Sequence, residues 1–192
     1  HMNTKRTLRA WILLLLAGGL FLVGCNEAPM PPSDTEMILH FTQHASAFED
    51  IRAIIDHCHY GRYYPPYDEQ DTACLQGVSV EDRRRLDSLL AEIGSERIFY
   101  VGREWRCEMS RASGWAGRDT TYTRFTISYY SHGYSVGGTT KDFVYDPSLK
   151  NRRTVPITDE GDLNEIYRQN FNDTTLYKPI QGDWYIELTH DN

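Results

Sequence analysis

The chain has 192 residues, with 20 Lys+Arg against 27 Asp+Glu and a net charge of −7 at neutral pH. That acidic balance argues against a nucleic-acid surface and against a domain lying flat on anionic lipid. The length suits one domain, and no internal repeat of roughly 20–50 residues suggests a solenoid.

His1-Met2 reads as a cloning remnant, with Met2 as the natural start. Lys5, Arg6 and Arg9 form a positive segment, followed by an apolar run from Ala10 to Val23. A helix of about 14 residues reaches about 21 Å, short of a hydrocarbon core of about 30 Å. The run is therefore expected to be the apolar region of a signal peptide. It ends in Leu22-Val23-Gly24-Cys25, which resembles the lipobox of bacterial lipoproteins. The resemblance implies a diacylglyceryl group on the Cys25 sulfur, cleavage before Cys25 and acylation of the new amine, with the acyl chains (palmitate-type) as a membrane anchor. Asn26 in place of an aspartate resembles the outer-membrane class, which implies an envelope protein facing the periplasm. Loss of residues 1–24 removes three basic residues and no acidic one, leaving 168 residues with a net charge of −10. Residues 25–34, with Pro29, Pro31 and Pro32, read as a stiff extended tether.

A single α+β domain is expected over 35–192. Met37, Phe41, Ala45, Phe48, Ile51 and Ile55 share one helical face, predicting one helix from near Thr35 to His57, capped by Ser33 or Asp34. The aromatic, proline-rich segment that follows lies between Cys58 and Cys74, a pair that an oxidising envelope could bridge. With Cys107, three single pairings exist, and spacing does not choose among them. A second helix is expected after Ser79, with Leu86, Leu89, Leu90 and Ile93 inward and Gly94 past its end. Beyond it the period changes to two. Strands are expected over Ile98–Arg106, Tyr122–Tyr130 and Lys141–Tyr145, then a short helix over Leu163–Gln169. The chain should close with a hairpin turning at Gln181-Gly182-Asp183. Two helices ahead of antiparallel strands give an α+β layout.

Four groups of residues could carry chemistry. Gly133-Tyr134-Ser135-Val136-Gly137 fits G-x-S-x-G, and His190 could serve as the base of a small serine hydrolase. However, the residues after Ser135 are strand-like, whereas a nucleophile elbow needs a helix there. A hairpin tip at His132-Gly133 and a bulge at Gly137-Gly138 is the plainer reading. His40 and His44 have the one-turn spacing of metal ligands, with His57 and His59 nearby, but they fall on or beside the apolar face and are expected to be packed. Arg83-Arg84-Arg85, followed by Arg97, Arg103 and Arg106, should pair with acids on a solvated surface. Lastly, Arg62, Tyr63, Tyr64 and Tyr67 sit with Pro65-Pro66 in the loop between the helices, a composition suited to partner binding.

The order of Gly133, Ser135, Gly138, Lys141 and Tyr145, with Gly182, Trp184 and Tyr185 near the end, is similar to small uncharacterised bacterial lipoproteins. That resemblance implies no activity. The expectation is a lipid-anchored binding module for a protein or other envelope component, of inhibitor or immunity type, without catalytic residues, metal or cofactor. A Ser135 hydrolase and a structural envelope lipoprotein are the alternatives.

Overall fold

Ser33 opens the first helix of the computed structural model, which describes residues 30–58, 61–66, 75, 77–101, 123–134, 137–151, 156–169 and 173–191. Ser33 Oγ accepts from the Glu36 N–H at 3.2 Å, and Glu36 Oε2 accepts from the Ser33 N–H at 2.7 Å, a reciprocal capping box. The helix, α1, spans Asp34–Gln43. A second helix, α2, spans Ala45–Ile55. The single helix expected here is thus two, broken at His44 (φ −115°, ψ 22°). The break keeps both apolar faces on one core: Met37 and Phe41 from α1, and Phe48, Ile51 and Ile55 from α2, are buried together.

Helix α3 spans Val80–Glu92 and starts as expected, with Ser79 Oγ accepting from the Asp82 N–H at 3.1 Å. Leu86, Leu89 and Leu90 face the core, and Gly94 follows in the left-handed conformation at φ 64°. Helix α4 occupies Leu163–Gln169.

Six strands form one sheet: β1 (Gly61–Tyr63), β2 (Ile98–Val101), β3 (Arg124–Tyr134), β4 (Gly137–Tyr145), β5 (Thr174–Gln181) and β6 (Trp184–Asp191), in the order β1-β2-β3-β4-β6-β5 with every pairing antiparallel. The architecture is α+β in a single domain. The helices cover one face, where Tyr63, Ile98, Phe125, Ile127, Phe143, Trp184, Ile186 and Leu188 meet the helical apolar residues. Phe48 and Trp184 pack edge to face at 5.5 Å near its centre. Among the described residues no helix is long and apolar enough to cross a membrane.

The hairpin joining β3 and β4 differs from the expectation. His132 pairs with Thr139 and Gly133 with Gly138, so the strands run on past the expected tip. Gly133 has φ 122°, and a Cβ there would lie 2.5 Å from the Gly138 Cα, so this crossing admits only glycine. The register shift falls between Ile127 and Tyr130 instead of at Gly137-Gly138. Asp142, across from it on β4, accepts the Tyr129 N–H at 2.9 Å and so occupies a backbone donor freed by the bulge.

A buried cation joins the start of the domain to its sheet. Lys141 on β4 is wholly buried, and its ammonium lies 2.7 Å from Asp34 Oδ1, 2.7 Å from the Pro32 carbonyl and 2.8 Å from Asn164 Oδ1. It donates hydrogen bonds to the Pro32 and Asn164 oxygens and pairs by charge with Asp34. Asp34 Oδ2 accepts the Leu163 N–H at 2.8 Å, and Asn164 donates to the Pro31 carbonyl at 2.9 Å. Pro31, Pro32 and Asp34 are therefore built into the domain, although they fall in the stretch 25–34 expected to be a tether.

Two outcomes follow for stability. Tyr63 is fully buried, its hydroxyl 2.7 Å from the Arg83 carbonyl and 2.5 Å from Asp87 Oδ1 on α3. Tyr63→Phe removes the proton those acceptors share and should lower unfolding free energy by about 1–2 kcal/mol in urea titration, with the helical content unchanged. Burial is the main cause that pushes the Asp142 carboxyl from 3.8 up to about 6. The native state thus binds this proton more tightly than the unfolded chain, so its contribution is fully present below about pH 4 and is lost as pH rises through about 6. Asp142→Asn should gain on the parent by roughly 2–3 kcal/mol between pH 4 and pH 7; a pH-independent difference would contradict this assignment.

Candidate functional site

The aromatic segment expected to be a loop contains the edge strand β1. Strand alternation sends neighbouring residues to opposite faces, and this divides the candidate tyrosines. Tyr63 points into the core beneath α3 and is removed from the set of partner-contacting residues. Arg62 and Tyr64 point outward, with Tyr64 about 40% exposed. Tyr67, Tyr60, Cys74 and Cys107 lie outside the described residues. So do Cys25, His59, Arg103, Arg106 and Ser135. Cys58 is described and is buried in the core.

Pairing register brings β2 beside these outward residues. Arg62 stands opposite Phe99, and Phe99 opposite Thr126. Arg97 lies two residues before Phe99 and therefore shares its face. The side chains form a ladder: the Arg62 guanidinium lies 5.5 Å from the Tyr64 ring centroid, Tyr64 meets Phe99 edge to face at 6.1 Å, and the Arg97 guanidinium lies 4.8 Å from the Phe99 centroid. Such cation–ring contacts contribute about 0.5–1 kcal/mol at exposed sites. Phe99 remains 39% exposed. Arg97 is further fixed by a 3.1 Å bond from its Nε to Ser128 Oγ, and the Ser95 hydroxyl donates to the Ser128 carbonyl at 2.7 Å. The ladder thus presents two held cations and two aromatic surfaces at one edge of the sheet.

Farther along the same face, charges neutralise one another. Arg124 lies 3.1 Å from Asp146 and 2.7 Å from Glu187. Asp142 stands opposite Glu187. Burial, with the Glu187 charge adding to it, pushes the Tyr177 phenol far above its ordinary value. Val144, Tyr185, Tyr177 and Leu149 fill the spaces between these groups. This region is a network of paired charges in an apolar frame.

The other candidates take structural positions. His40 Nε2 lies 3.0 Å from the Ile93 carbonyl at the end of α3, and its ring packs on His44 at 4.7 Å and Tyr129 at 5.0 Å. Burial lowers its pKa, partly offset by the Ile93 bond. His44 lies 3.6 Å from Glu92. Among the described residues no group of three or more His, Cys, Asp or Glu is placed to hold a metal. His190 Nδ1 contacts the Thr139 hydroxyl at 2.9 Å and the Tyr167 hydroxyl at 3.0 Å. The residues on either side of Ser135-Val136 are both strand, β3 ending at Tyr134 and β4 beginning at Gly137, so the strand-to-helix setting of a nucleophile elbow is replaced by strand-to-strand. Within the arginine triplet, Arg85 pairs with Asp50 on α2 at 2.5 Å, and Arg83 donates to the Leu75 carbonyl at 3.1 Å. These partners lie outside α3 itself.

Residue-type reasoning passed over Phe99 and Arg97 as members of the site because they stand more than 30 positions from Arg62. Only the β1–β2 register joins them.

The family model described as "Domain of unknown function (DUF4948)" matches residues 30–192. No curated protein and no solved structure matches the chain. With the match running from just before the clamped prolines to the last residue, this chain belongs to the DUF4948 family.

Proposed function

We propose that this protein is a lipid-anchored lipoprotein of the bacterial envelope, held at the outer membrane through Cys25 and facing the periplasm, and that it acts as a binding module without a reaction of its own. The carrying observation is the exposed Arg62–Tyr64–Phe99–Arg97 ladder, in which arginine and aromatic side chains are held by mutual contact and by Ser128. Such residues dominate the energetics of protein interfaces, and their pre-ordering lowers the entropy lost on binding. The signal-peptide pattern and the Leu22–Cys25 lipobox support the anchor. Clamping of Pro31 and Pro32 supports the geometry, since a chain anchored upstream would hold this domain at a defined point on its surface. An inhibitor or immunity-type role toward an envelope enzyme suits a small domain whose contact surface is rigid.

Cross-linking in intact envelopes tests this reading. A photoreactive phenylalanine at position 64 of the full chain should give a discrete adduct, and one at the exposed Leu39 on α1 should not. Phe99→Ala should weaken the position-64 adduct several-fold, as loss of an interface aromatic does. Identical labelling patterns from positions 64 and 39 would contradict the assignment.

A further inference from the structure

Arg52, Arg85, Arg124 and Arg168 each meet a carboxylate, as do all three described lysines, Lys141, Lys150 and Lys178. In a chain where acids outnumber bases this is the expected arrangement. Arg62 and Arg97 are held differently. Among the described residues neither has a carboxylate at ion-pair distance, and each guanidinium lies on an aromatic ring instead. The Arg97 charge is also a minor influence on the buried Asp142 carboxyl, which burial dominates. Two guanidinium groups without a carboxylate partner among the described residues thus stand on one face of an acidic domain.

Their position adds a second constraint. Among the described strands β1 is terminal in the sheet and pairs only with β2, so its outer side offers backbone donors and acceptors to another strand. Pro65 and Pro66 follow directly, which limits that offer to a short stretch beside Gly61–Tyr63. In an added strand alternate side chains would share the face of Arg62, at a repeat of about 6.6–6.8 Å. Carboxylates at those alternate positions would meet guanidinium groups that no acid among the described residues matches.

We infer that the ladder receives an extended acidic segment of a protein partner, which adds beside β1 and sets alternate carboxylates against Arg62 and Arg97. This rests on the binding reading and names the chemistry of its partner. Main-chain bonds from three residues are too few to hold a strand alone, so the charge contacts carry the selectivity. The aromatic rings orient the guanidinium groups and exclude water beside them.

The test uses the full chain and a fluorescein-labelled heptapeptide, Glu-Thr-Glu-Val-Glu-Thr-Glu, read by anisotropy. Its counterpart has lysine at every glutamate position, and a third peptide carries N-methyl groups on alternate amides. The acidic peptide should bind roughly tenfold more tightly than its lysine counterpart, and the preference should shrink between about 50 mM and about 300 mM salt. Arg62→Glu with Arg97→Glu, both on the exposed face, should abolish the preference while the circular dichroism spectrum stays unchanged. N-methylation should weaken binding comparably. Equal binding of the acidic and lysine peptides overturns the inference, and so does an unaffected charge-reversed variant. An N-methylated peptide that binds as well as its parent overturns strand addition. Tighter binding to phosphatidylglycerol vesicles than to the peptide overturns the choice of a protein partner. A position-64 cross-link in envelopes combined with failure of the acidic peptide overturns this inference alone; absence of both overturns the binding reading as well.

Discussion

One buried ammonium organises this domain. Lys141 sits in the central part of the sheet with no exposure, a placement that an unpaired cation could not sustain in a low-dielectric interior. It pairs with the Asp34 carboxylate at 2.7 Å and donates to the Pro32 carbonyl and the Asn164 side-chain oxygen. These acceptors come from the first helix, the segment before it and the last helix. Asp34 in turn accepts the N–H of Leu163 at the start of α4, and Lys178 on β5 reaches the Gly161 carbonyl beside it at 2.6 Å. A lysine on β4 therefore fixes where the chain enters the domain and where α4 sits.

The residue after it does comparable work on the other face. Asp142 points away from the helices and binds the Tyr129 N–H, where β3 gains its extra residue. Adjacent buried charges on a central strand serve opposite layers: one joins the helical layer and the N-terminal segment, and the other steadies the bulge. The bulge lies close to Ser128, which holds Arg97. The ladder at the sheet edge is thus supported by elements set deep within the fold, and a ligand there would meet a surface already in place.

Much of this fold is visible in local patterns. Ser33 and Ser79 precede helical periods and do cap helices, the bounds of α4 match its apolar spacing, and Gly182 turns the last hairpin at φ 62°. The break at His44 is not visible, because Met37, Phe41, Phe48, Ile51 and Ile55 keep one continuous stripe whether the helix is straight or bent. β1 is hidden because three residues cannot display alternation, and without it Tyr63 and Tyr64 look equivalent although one is core and the other surface. Lys141 between Thr140 and Asp142 reads as a solvated residue; its partners are 109 positions upstream and 23 downstream. The Arg62–Phe99 neighbour relation is likewise a matter of strand register, which depends on the whole sheet.

The domain is organised by the Lys141 cluster, and amide hydrogen exchange combined with urea unfolding of Lys141→Met tests this most directly. Methionine keeps much of the side-chain volume but takes from buried Asp34 its cation at 2.7 Å, leaving Lys178 at 3.5 Å. The expected result is a loss of about 3–5 kcal/mol, with exchange at the Leu163 amide accelerated far more than at the Trp184–Leu188 amides of β6. Parent-like stability, with Leu163 still as protected as the sheet, would contradict the claim that this buried ammonium binds the N-terminal segment and α4 to the rest of the domain.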